Sequence, residues 1–78
     1  MNLEMMTPDR KVFSGEVSLI QLPGLDGSFE LLNNHAPLVA ILAKGKVKVT
    51  DNAKNTHFFD ILGGVVEVSK NKVIILSE

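Results

Sequence analysis

Residues Leu22–Leu38 read LPGLDGSFELLNNHAPL, and the turn chemistry of this stretch decides the fold. Pro23-Gly24 and Asp26-Gly27 bracket Leu25, so the chain reverses tightly there. Proline presets φ for a turn corner, and glycine takes up positive φ without steric cost. A short apolar segment, Phe29–Leu32, follows. Asn33-Asn34-His35-Ala36-Pro37 then makes a second polar turn ahead of the apolar run Leu38–Leu42. Two ordered reversals around one short apolar segment describe strands joined by shaped turns rather than a slack linker.

The pattern continues outward on both sides, with β-branched residues in the segments and turn residues between them. Asn2–Met6 alternates, with Leu3 and Met5 on one side, Met6 on the other, and Thr7-Pro8-Asp9 as its end. Lys11–Phe13 and Gly15–Leu22 read as further strands. The second changes phase, because Val17 and Leu19 share one face while Ile20 and Leu22 take the other. Either a bulge sits near Leu19 or that strand has apolar contacts on both sides. Lys46-Val47-Lys48-Val49-Thr50 alternates cleanly, which predicts one wet and one buried face. Asp51–Asn55 is a polar hairpin loop, and Thr56–Leu62 is a strand with Phe58 and Phe59 on opposite faces. Val65–Ser69 and Lys72–Leu76 form a last hairpin around Lys70-Asn71. Apolar spacing of three and four never persists, so no helix is expected. The prediction is a single all-β domain over residues 1–78: a flattened β-sandwich or barrel of about eight to ten short strands, antiparallel by their short connections.

Composition narrows the function. The chain has 78 residues, 45% hydrophobic and 22% charged, which is too apolar for disorder. Its apolar runs are far shorter than the roughly 20 residues of a membrane helix, and Asn2–Arg10 has no apolar core of a signal peptide. No cysteine is present, which excludes disulfides and thiolate metal sites and suits a reducing compartment. A net charge of −1 and four aromatic residues, all Phe, give no basis for nucleic-acid binding.

Chemistry-bearing constellations are equally sparse. His35 and His57, the two histidines, have no nucleophile at a motif spacing. No serine sits in a nucleophile elbow, and the carboxylates are scattered rather than grouped as metal ligands. Gly63-Gly64 precedes a strand rather than a helix, so it is no phosphate loop; it marks a tight turn or bulge where a side chain would clash. His35 reads equally well as a turn residue bonding its own loop and as a surface contact. His57, at a strand start, reads as exposed. More telling is apolar content on faces that a free sandwich leaves wet: Leu19, Ile41 and one of Phe58 and Phe59. A cluster of this kind marks an interaction surface. A cofactor-carrying or ligand-binding β domain is the alternative, but Lys44, Lys54 and Lys70 occupy turns without the apolar flanks of a modified lysine.

Three separated blocks carry a resemblance. Leu22-Pro23-Gly24, Gly27 and His35-Ala36-Pro37-Leu38-Val39 match LPG..GE.GILPGHAPLV; Thr7-Pro8 and Val12–Val17 match TP…VFSGEV; Gly63–Val68 and Asn71-Lys72-Val73 match GGFVEV..N.VTVL. In this order and spacing the chain resembles the N-terminal β domain of the ε subunit of F-type ATP synthases. That resemblance implies a β-sandwich in the central rotor, coupling rotation of a c ring driven by protons or sodium to ATP synthesis through γ. It further implies a non-catalytic role with no cofactor, in a peripheral subunit on the cytoplasmic face of the bacterial cell membrane. The family pattern differs at Ser28, often acidic elsewhere, at Glu30, which replaces Gly, and at Asn33-Asn34, which replaces Pro-Gly. Asn tolerates left-handed φ, so the second turn can survive. On this reading the stretch from Leu25 to His35 sits on the c ring, with Ser28, Glu30, Asn33, Asn34 and His35 as polar contacts and Phe29 or Leu31 as an anchor. One face carrying Thr7, Leu19, Ala40, Ile41 and Leu42 packs on γ. The family's C-terminal helical pair is not encoded before Glu78, in a subunit that is either naturally short or truncated. This leads to the expectation of neither an inhibitory switch nor nucleotide binding.

Overall fold

The computed structural model describes all 78 residues as eight strands and no helix: β1 Asn2–Met6, β2 Lys11–Gly24, β3 Gly27–Leu32, β4 Leu38–Leu42, β5 Gly45–Asp51, β6 Thr56–Ile61, β7 Gly64–Ser69 and β8 Lys72–Ser77. Pairing runs β1-β8-β7-β4-β2-β5-β6, with β3 also on β2 and β1 also on β2. Two layers result. One is β4-β7-β8-β1, and the other is β3-β2-β5-β6. The first half of β2 pairs with β1 and the second half with β3 and β5, so this single 14-residue strand belongs to both layers. The smallest dimension, 18 Å, fits two sheets packed about 10 Å apart with outward side chains.

The passage of β2 between layers explains the phase change in its sequence. Register slips between Val17 and Leu19 against β5, so Ser18 is the extra residue of a bulge. Its hydroxyl donates to the Thr50 carbonyl at 3.3 Å. A bulge shifts side-chain parity by one, which is how Val17, Ile20 and Leu22 all reach the core, each at most 1% exposed. Leu19 is left on the outer face.

Connections differ from the sequence expectation in two respects, the first being that Lys11–Phe13 and Gly15–Leu22, expected as separate strands, run on as the single strand β2. Second, β1 lies parallel to β8, Asn2 opposite Lys72 and Met6 opposite Leu76, whereas every other pair is antiparallel. The pairing joins the two ends of the chain and is invisible to any local pattern. Pro23 and Gly24, expected in a turn, continue β2 and leave the reversal to Leu25-Asp26, while the other turn residues behave as their chemistry requires. Lys70 and Asn71 both have positive φ, 51° and 59°, the combination of a two-residue type I′ hairpin. Gly64 has φ +155°, and a Cβ there would lie 2.3 Å from the Leu76 carbonyl oxygen. At Gly24 a Cβ would meet the Gly27 carbonyl at 2.5 Å and the Phe29 ring at 2.8 Å, so the Leu25 reversal closes only around glycine.

Fifteen apolar side chains form one core, including Leu3, Met5, Ile20, Leu22, Leu31 and Ile75, with Phe13, Phe29 and Phe59 packed at its margins. Burying each large aliphatic chain contributes roughly 1.5–3 kcal/mol. No buried side-chain polar atom lacks a hydrogen-bond partner.

Candidate functional site

Alternation decides what the β4-β7-β8-β1 layer shows to solvent. Leu38, Ala40 and Leu42 of β4 point inward with Val66 and Val68 of β7, so Val39 and Ile41 point out. Cross-strand register then aligns Ile41 with Val65, Val65 with Leu76, and Leu76 with Met6. Four neighbouring strands spaced about 4.8 Å apart thus carry an unbroken apolar row. Beside it runs Val39, Glu67, Ile74 and Glu4. Exposure is high: Val39 70%, Ile41 60%, Leu76 53% and Val65 40%. Two shallow hollows on this face share Val65 and Leu76 as lining, one of them also bounded by Val39, and a further one lies between Ile41 and the exposed Leu25. Its only charged neighbours in ion pairs are at the margin, where Glu4 meets Lys11 at 3.4 Å and Lys72 at 4.0 Å.

The outer face of the other layer is mostly polar. Gln21, Lys48, Glu30, Lys46, Thr50 and Asp60 dominate it. Phe58 is exposed there, but the Lys46 ammonium stands 5.9 Å from its ring centroid and pairs with Asp60 at 3.1 Å. Phe59 points inward against the core, with the Phe13 ring 6.0 Å away.

These placements correct several expectations. Leu42 and Leu31, 3% and 0% exposed, are core side chains and offer a partner nothing. Ala40 faces inward against the core. Leu19 lies opposite Leu32 on the polar layer, so Leu19 and Ile41 do not share a face. Thr7 stands at the end of the apolar row, its hydroxyl and amide both donating to the Arg10 carbonyl. Of the five residues expected on one γ-facing surface, Ile41 is central and Thr7 marginal. Residues missed by sequence reasoning are Val39, Val65 and Leu76; the alternation in β7 and β8 would have exposed the last two once their inward partners were fixed.

The stretch from Leu25 to His35 is likewise not one surface. β3 separates its two turns, so Leu25–Gly27 lies at one end of the domain and Asn33–Pro37 at the other. Phe29 pairs with Leu22 and packs inward, which removes it with Leu31 as an anchor. Ser28, Glu30, Asn33, Asn34 and His35 are exposed. Asn34 has φ 63°, the left-handed turn anticipated for it. His35 donates from Nδ1 to the Ala36 carbonyl at 2.8 Å, a bond within its own turn. At the Leu25 end, exposed apolar side chains are Leu25 and Leu62, 65% and 70%, beside Asp26, Ser28 and Lys44.

His57 is not simply exposed. It faces Val49 across the β5–β6 hairpin, half-buried, with Phe13 5.3 Å away ring to ring. Its Nε2–H donates to Asp51 Oδ2 at 2.9 Å, while Asp51 Oδ1 accepts the Ala53 and Asn55 amides. The His57 hydrogen bond, then that of the Asn55 amide, hold the Asp51 carboxyl below its usual range. The arrangement ties a hairpin loop; it contains no nucleophile. Lys70, at its hairpin tip, is flanked by Ser69 and Asn71, so the carrier-domain alternative gains nothing.

The fold is a two-layer β-sandwich with one apolar outer face and shaped turns at its ends. The sequence profile of the family described as "ATP synthase, Delta/Epsilon chain, beta-sandwich domain" matches residues 1–78, and the chain belongs to this family. Similar proteins include the ATP synthase epsilon chain of Chlorobium limicola, 47% identical over 76 residues that cover 97% of this chain and 86% of that one. The ATP synthase epsilon chain of Caulobacter vibrioides is 44% identical over 78 residues, covering 100% and 90%. Among solved structures, a chain of the Euglena gracilis mitochondrial ATP synthase OSCP/F1/c-ring assembly overlays with a TM-score of 0.90 at 25% identity, covering 96% of this chain and 48% of that one. A chain of the Tetrahymena thermophila mitochondrial ATP synthase central stalk and c-ring overlays at 0.82 and 23% identity, covering 97% and 61%. This chain thus spans about half to three-fifths of those two chains.

Proposed function

We propose that this protein is a non-catalytic component of the ATP synthase central stalk that links γ to the c ring, so that ring rotation turns γ within the catalytic hexamer. The observation that carries the reading is the apolar row Ile41, Val65, Leu76 and Met6 with Val39 beside it, on a chain of this family. A monomer rarely leaves so many neighbouring apolar residues wet, and the composition suits the core of a protein interface. γ covers this face. The c ring meets the Leu25 end, where Leu25 and Leu62 supply anchors, and Asp26, Ser28 and Lys44 match the polar loops of a membrane ring. The turn is fixed in shape before contact, which reduces the ordering cost of association. A compact sandwich also deforms little under torque.

No helix in the chain is long and apolar enough to cross a membrane. In this proposal attachment runs through the rotor, on the cytoplasmic face of a bacterial membrane, with either protons or sodium as the coupling ion. The test is the affinity of purified γ for this chain carrying Ile41→Asp or Leu19→Asp. Ile41→Asp places a charge in the apolar row and weakens binding at least about tenfold, whereas Leu19→Asp, on the other layer, leaves it unchanged. Equal loss from both, or loss only from Leu19→Asp, overturns the assignment of the face.

A further inference from the structure

β4 holds the most exposed part of the proposed γ surface, Val39 and Ile41, yet it is nearly an edge strand. β7 pairs along its whole length, but β2 meets it at a single position, Gly24 opposite Leu42. Its C-terminal end is well tied: the Leu25 amide donates to the Ile41 carbonyl at 3.0 Å, and the Ala43 amide to the Pro23 carbonyl at 2.8 Å. Its N-terminal end continues from Asn33–Pro37, the segment that carries the chain from one layer to the other without a ladder of its own.

One side chain from another element holds that crossing. The Asn34 amide donates to Asn71 Oδ1 at 2.7 Å, across 37 residues of sequence. Asn71 is also the second left-handed residue of the β7–β8 turn, and its backbone carbonyl accepts the Asn2 amide at 3.0 Å. The backbone bond anchors the residue to β1, and the side chain is thereby fixed to face the crossing. Asn33 adds a contact from the same turn, accepting a hydrogen bond from the Met1 nitrogen, which also donates to the Val17 carbonyl at 3.0 Å.

We infer that Asn71 is a positioning residue for γ binding: its amide oxygen holds the Asn33–Pro37 crossing, and so presets the start of β4 on which Val39 and Ile41 stand. This rests on the proposal that γ covers the β4-β7-β8-β1 face. It separates two roles at one position. The left-handed backbone needs a residue that tolerates φ of 59°, which Asn, Asp and Gly all do. The pin needs a side-chain acceptor, which only Asn and Asp provide.

Two variants of the full chain distinguish these roles. Asn71→Gly keeps the turn and removes the acceptor; Asn71→Asp keeps both. Backbone hydrogen exchange by NMR is expected to show Asn34 protection lost in Asn71→Gly and retained in Asn71→Asp, with β7 and β8 amides unchanged in each. γ affinity falls roughly three- to tenfold in Asn71→Gly, the size of one hydrogen bond, and returns to the parent value in Asn71→Asp. Unchanged Asn34 protection in Asn71→Gly would show that no pin exists. Lost protection with undiminished γ affinity would show that the pin does not serve binding. If Asn71→Gly fails to fold, an Asn71→Asp variant that binds γ normally but has lost Asn34 protection would also overturn the inference. Undiminished γ binding by Ile41→Asp would instead reject the γ face itself, a separate failure.

Discussion

Asp51 and Gly64 show how much of this small domain depends on single atoms. The Asp51 carboxylate accepts from the His57 ring and from two loop amides, and the largest of these effects, the His57 bond, lowers its pKa from the ordinary value. A carboxyl whose folded-state pKa is depressed stabilises the fold above its unfolded pKa, near ~3.9, and that contribution is lost as pH falls through the folded-state value. Urea denaturation should therefore show the parent protein losing its advantage over Asp51→Asn on acidification below about pH 4, with the parent clearly more stable at neutral pH. An advantage that does not change with pH would contradict this. At Gly64 the sequence signal was direct, since a glycine pair ahead of a strand marks a place closed to side chains. With the Leu76 carbonyl where a Cβ would go and φ at +155°, Gly64→Ala should cost roughly 2–4 kcal/mol in chemical denaturation. His57 was legible only in part: its strand was apparent, but its partnership with Asp51 depends on the β5–β6 register, which places the two across the loop.

At the scale of the element, β4 separates what can be read from what cannot. Leu38-Val39-Ala40-Ile41-Leu42 is apolar at every position, so no alternation indicates which residues face the core. That is why Ala40 and Leu42 were expected beside Ile41 on a partner surface, and why the inward position of Leu42 emerges only from its pairing with Gly64. β3 has the same ambiguity, with Leu31 inside and Leu32 outside. β5, by contrast, alternates Lys and Val, and both its faces were correct from the sequence. The outcome for β4 is testable: Leu42→Ala should destabilise the domain by about 2–5 kcal/mol through loss of buried volume, and Ile41→Asp should change stability by no more than about 0.5 kcal/mol, as a surface substitution does. Thermal or urea unfolding of the two variants reads both. A large loss from Ile41→Asp would place Ile41 in the core.

For the whole molecule, the class was legible because strands, turns and absent chemistry all pointed to one answer. The layer arrangement was not, because the β1–β8 parallel pair and the bulged passage of β2 between layers are contacts between distant segments. Those contacts divide the surface into an apolar face and a separate turn-bearing end, and β3 splits the stretch from Leu25 to His35 between two ends of the domain. The proposed link between γ and a ring uses the apolar face and the Leu25 end. The most direct test is disulfide cross-linking in the assembled ATP synthase, with single cysteines introduced at Ile41 or Ser28 and matching cysteines on γ and on the polar loop of the c subunit. The account predicts an Ile41→Cys product with γ and a Ser28→Cys product with c. Products with the catalytic or stator subunits in place of these would contradict it.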